Sequence, residues 1–176
     1  MVFRHLVILI LLSGISAHAR LGENEVACAM RYNHGKDVGE TFSDRHYPLL
    51  SGPHANNRTY HFQGWRIRIG FARGIAHRVE YKHLEMNRKI TGPELQAILE
   101  ANGGINAWRR EGEDTTPNLT AAPLPVSMFS EQLWIRNDGA HARLLPNSTT
   151  LILESAAYIR WKSAPSRKQE KPVPKF

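Results

Sequence analysis

A single cysteine, Cys28, leaves no intramolecular disulfide available, so the core alone must hold the fold. Long apolar runs are also missing. The stretch Leu6 to Ile15 covers about 10 residues, against the roughly 20 that a membrane-spanning helix needs. Motifs for common chemistries are absent too: there is no Gly-x-Ser-x-Gly elbow, no His-Glu-x-x-His helix and no glycine-rich phosphate loop. Acidic residues are the scarcer charge. Against 23 Lys and Arg stand 16 Asp and Glu, a formal net charge of +7, which favours acidic partners.

What is present begins with an export signal. Met1 to His5 is a short positive segment, Leu6 to Ile15 the apolar one, and Ala17-His18-Ala19 a small-x-small cleavage pattern, so residues 1–19 read as a signal peptide with Arg20 as the mature N-terminus. Location is then periplasmic or extracellular, and nucleic acid drops out as a partner. Cys28 does not directly follow the apolar stretch, so lipidation is not expected; it reads as a semi-buried structural thiol or an intermolecular disulfide partner. With 41% hydrophobic and 22% charged residues the remainder is globular. We expect one α+β domain over 20–162, arranged as helix-plus-meander halves at 20–90 and 91–162. From 163 to 176 a basic tail without apolar period reads as disordered.

The expected elements are two helices and six or seven antiparallel strands, in the order helix, strands, helix, strands. Glu23–Tyr32 reads as a helix with Val26, Ala29, Met30 and Asn33 on one face and Gly35 as its stop. Residues 36–57 have no sustained period and read as a long loop. Tyr60 to Leu84 reads as a meander: Trp65, Ile67, Ile69 and Phe71 alternate with Arg66 and Arg68, and Ile75, His77, Val79 and Tyr81 with Arg78, Glu80 and Lys82, across an Ala72-Arg73-Gly74 turn. Thr91 and Glu94 make a capping box for a helix whose stripe is Leu95, Ile98 and Leu99. Three more strands follow at 132–136, 140–145 and 149–155, the first pair joined by an Asn137-Asp138-Gly139 type I′ turn. Tyr158–Trp161 reads as a short last strand or a continuation of the one before it.

Two surfaces are candidates for binding. Arg66, Arg68, Arg78 and Lys82 fall on one strand face with Glu80 as the nearby acid; that is an anion-binding face or a solvated one. Trp134 and Arg136 form either an exposed aromatic-basic patch, a composition enriched at binding hot spots, or part of a covered face. Histidines give less. His77 points with its strand's apolar residues, and His34, His46 and His54 with Asp37 or Asp44 match no standard zinc spacing. No catalytic residue, metal or cofactor is assigned.

The order of elements resembles uncharacterised exported bacterial proteins with an Arg-x-Gly-Glu-x-Glu helix start and an Arg-Tyr helix end. They also share a Gly-Phe-x-x-Gly-x-Ala-His hairpin and a Trp-x-Arg-x-Asp-Gly hairpin. Here these are Arg20–Glu25, Arg31-Tyr32, Gly70–His77 and Trp134–Gly139. The portion from Gly22 to His83 is similar in pattern to the BamE-type small lipoproteins of outer-membrane β-barrel assembly, through Ile67, Ile69, Phe71 and Gly74. It lacks their lipid-accepting cysteine. The expectation is a non-enzymatic binding or envelope-accessory module. Its partner would be an anionic envelope component (lipid headgroup, lipopolysaccharide or glycan) or a protein. A small hydrolase with a site in 36–57, or a scaffold, is the alternative.

Overall fold

The computed structural model describes residues 20–32, 36–52, 54–103, 108–112 and 131–164. The proposed signal peptide, Asn33 to Gly35, the Thr- and Pro-rich segment 113–130 and the basic segment from 165 onward lie outside the described residues. The fold is α+β. Among the described residues there are eight strands and four helices, more of each than the sequence pattern predicts. They are α1 (Glu25–Tyr32), β1 (Lys36–Gly39), α2 (Phe42–His46), β2 (Ala55–Phe62), β3 (Trp65–Ala72), β4 (Ile75–His83), α3 (Gly92–Ala101), β5 (Trp108–Arg110), β6 (Gln132–Arg136), β7 (His141–Leu144), β8 (Thr150–Glu154) and α4 (Ala156–Ser163).

All eight strands form one antiparallel sheet in the order β1-β2-β3-β4-β8-β7-β6-β5. Each meander runs from an edge inward, and the two meet where β4 pairs with β8 from Arg78↔Glu154 to Lys82↔Thr150. One sheet face carries the core. Ile67, Ile69, Phe71, Val79, Tyr81, Leu151 and Leu153 are all buried there, with Cys28 and Tyr32 of α1 and Ile98 and Leu99 of α3 packed against them. The period-2 pattern of β3 therefore holds.

Several local expectations are corrected. On α1 the buried face is Cys28 and Tyr32, whereas Val26 and Met30 are 69% and 72% exposed. Counting apolar residues selected the wrong stripe because the tyrosine and the thiol make the larger buried contact. In β4 the register shifts so that Gly70 pairs with Arg78 and Phe71 with Ala76. His77 is the extra residue of this bulge, which turns Ala76 into the core and Ile75 outward. The 36–57 stretch is β1, α2 and the start of β2 rather than a loop. Thr41 caps α2 and shares a capping box with Asp44. In the β6–β7 turn only Gly139 has positive φ (88°), which makes a type I turn with a left-handed glycine instead of type I′. Tyr158–Trp161 is helical, because Ser155 accepts the Tyr158 N–H as an N-cap and Ala156-Ala157 favour helix.

Candidate functional site

Arg66, Arg68, Arg78 and Lys82 do share the sheet face opposite the core, but that face is already answered by the chain itself. Arg68 is 7% exposed. Its guanidinium donates to Asp44, to the Tyr47 carbonyl at 2.8 Å and to Glu80 at 3.4 Å. Arg66 lies 3.6 Å from Glu80. Arg78 donates to the Leu49 carbonyl at 3.3 Å and sits 3.6 Å from Glu154. Lys82 is half-buried beside Arg66. A solvated basic face is therefore not what forms.

The partners come from distant parts of the chain. Glu154, 2% exposed, is approached by Arg78, by Arg143 at 3.7 Å and by Lys162 at 2.7 Å. Burial pushes the Asp44 carboxyl up, but hydrogen bonds from Thr59 and Thr41 and the charge of Arg68 outweigh it and hold the group below the usual carboxylate range. Glu154, Arg143 and Lys162 are the residues that sequence reasoning missed, and Asp44, weighed there only beside the loop histidines, is instead the partner of Arg68. The signal available was the lone carboxylate ending the apolar run Leu151-Ile152-Leu153-Glu154, which demands a buried cation.

Trp134 and Arg136 lie on the other face. Trp134 is half-buried against the core with Arg110 6.0 Å from its ring centre. Arg136 lies 5.4 Å from the Trp108 ring centre, is bonded to Asp138 at 2.7 and 2.8 Å, and donates to the Asn102 carbonyl. These hydrogen bonds hold the Asp138 carboxyl down at about 2. The structure thus separates the two predicted surfaces. In the 36–57 stretch, Asp44 is occupied by Thr41, Thr59 and Arg68. Among the described residues no three His, Cys, Asp or Glu side chains gather to hold a metal. Cys28 is buried; its thiol donates to Glu23 at 3.4 Å, and burial, with Glu23 beside it, pushes it far up.

A different feature forms at the β3–β4 turn. There α4 stands off the sheet and leaves a groove of about 370 Å³ lined by Leu50, Ala55, Ala72, Ala157, Tyr158 and Trp161, with Ser51, His54, Arg73 and His77 as its polar members. This size lies within the range of small-molecule sites. Tyr158 and Trp161 stack at 5.6 Å and 21°, and Trp161 is 65% exposed. At the groove's inner end the bulge residue His77 meets Ser155: Nδ1 and Oγ are 2.8 Å apart, and the Ser155 N–H donates to the His77 carbonyl at 2.8 Å. Burial pushes the His77 imidazole down, and Ser155 Oγ also accepts the Tyr158 N–H at 3.2 Å. At the mouth, the Arg73 N–H donates to the His54 carbonyl at 3.1 Å, which holds both residues at one end. No carboxylate is among the described residues that line the groove.

Comparison with family models, with curated proteins and with solved structures gave no match. Among the described residues no helix is long and apolar enough to cross a membrane.

Proposed function

We propose that the chain is an exported, non-enzymatic binding module of the cell envelope, and that its seat is the α4 groove, where it holds an anionic envelope component. The single observation carrying this reading is a largely apolar cleft lined by the exposed Arg73 and with no carboxylate in its described lining. Apolar walls with a few convergent polar groups are the usual form of a ligand site. The cationic balance of the sequence favours an anion there.

The earlier candidate surface supports binding less well. Arg66, Arg68 and Arg78 each face a carboxylate of the chain, so an incoming anion would have to displace an internal partner. Export is supported by residues 1–19. Two measurements test the proposal. Intact mass of the exported protein should show loss of residues 1–19 and no lipid on Cys28. Calorimetry of the mature chain against lipopolysaccharide, anionic glycan and anionic lipid should find saturable binding to at least one, weakened by Arg73→Asn but little by Arg66→Gln. Equal loss in both variants would move the site back to the sheet face, and retention of the leader would remove the envelope.

A further inference from the structure

We propose that the groove takes one apolar chain ending in an anionic head, a long-chain carboxylate or an alkyl phosphate, in preference to a glycan; this rests on the reading above that the groove holds an anion. The lining decides between the two chemistries. Glycan sites surround an aromatic platform with side chains that both accept from and donate to hydroxyls. Here the described lining has no Asp, Glu, Asn or Gln, and its aliphatic members are Leu50, Ala55, Ala72 and Ala157. His77 has its Nδ1 engaged by Ser155. The stacked Tyr158–Trp161 pair supplies an apolar wall, with Trp161 left largely exposed. Covering that indole with a hydrocarbon chain removes apolar surface from water, which is favourable at roughly 25 cal/mol per Å².

The head group's place follows from the turn. Arg73 occupies the left-handed region with φ of 53°, and its backbone bond to His54 fixes the turn against the chain entering β2. The guanidiniums on the sheet face are paired with carboxylates, whereas Arg73 is exposed, lines the groove and has no ion-pair partner among the described residues. A planar guanidinium suits carboxylate and phosphate oxygens alike.

The test is a titration of the mature chain with dodecanoate and with dodecyl phosphate, each below its micelle concentration, followed by calorimetry and by tryptophan fluorescence. Saturable one-to-one binding is expected, with the tighter of the two naming the head group. Dodecyl maltoside, acetate and inorganic phosphate should each bind at least about tenfold more weakly, a difference of about 1.4 kcal/mol. Arg73→Asn keeps a residue type tolerant of positive φ and removes the charge; it should weaken both amphiphiles about tenfold. Ala157→Phe fills the groove from the exposed side of α4 and should abolish binding with the circular dichroism spectrum unchanged. Binding unaffected by Ala157→Phe, or equal affinity for the neutral detergent, overturns the proposal. Tighter binding of an anionic oligosaccharide that Arg73→Asn weakens overturns it while leaving the broader anion reading standing. No binding of any anion overturns both.

Discussion

Asp44 shows what a single side chain settles here. It is buried, accepts from Thr41, Thr59 and Arg68, and so ties α2 to β2 and β3. Removing one member of a buried, hydrogen-bonded ion pair leaves the other charge uncompensated, so Asp44→Ala should cost about 3–5 kcal/mol in urea denaturation. The sign of the pH effect follows from the lowered carboxyl. Its stabilisation is complete above the unfolded value of about 3.9 and is lost as pH falls through the lower folded value. Asp44→Asn should accordingly flatten the acid limb of the stability profile. Gly70 settles the other side of the same face. A Cβ there would lie 2.6 Å from Leu50 Cγ and 3.2 Å from Leu49 Cβ, because the Asn57 side chain pins both backbone groups of Leu50 against the sheet. Gly70→Ala should cost about 1–3 kcal/mol by overpacking, read as a lowered denaturation midpoint.

At the level of elements, legibility followed length and period. The long strands β3 and β4 and the capped α3 have enough residues for alternation or a capping box to show through, whereas of β2 only the end from Tyr60 was read as strand. Ile98→Ala should cost about 2–5 kcal/mol and Thr91→Ala about 1 kcal/mol by chemical denaturation; Leu95 is only half-buried and should cost less than Ile98. The short elements were not legible. A strand of four residues and a helix of five, β1 and α2, are held by pairing with β2 and by the Asp44–Arg68 contact, neither of which leaves a period in the sequence. The α4 helix was misread because its aromatics fit a strand pattern while Ser155, its cap, was assigned to the strand before. Of the candidate site, His54 and His77 were noticed as histidines, Arg73 as a turn residue and Tyr158–Trp161 as a strand, with nothing to bring them together. The groove is assembled from three segments distant in the chain, within 50–55, 72–77 and 157–161, and brought together by a bulge that no alternation pattern announces.

For the whole molecule, the seam between β4 and β8 is what makes the two meanders one body. Both halves contribute to one core face, and Glu154 draws cations from β4, β7 and α4. Unfolding should therefore be a single transition in urea, with tryptophan fluorescence and far-ultraviolet circular dichroism coincident; two separated transitions would mean that the halves fold independently. The same arrangement explains why a net charge of +7 does not produce a bare basic sheet. Arg66, Arg68 and Arg78 bind the chain's own carboxylates and carbonyls, and the exposed arginine lining the groove is Arg73. The most direct test of that account is an amide chemical-shift titration of the mature chain with dodecyl phosphate. Shifts centred on His54, Ala72–His77 and Ala157–Trp161 are the predicted result. Shifts centred on Arg66, Arg68 and Lys82, with the groove silent, would contradict it.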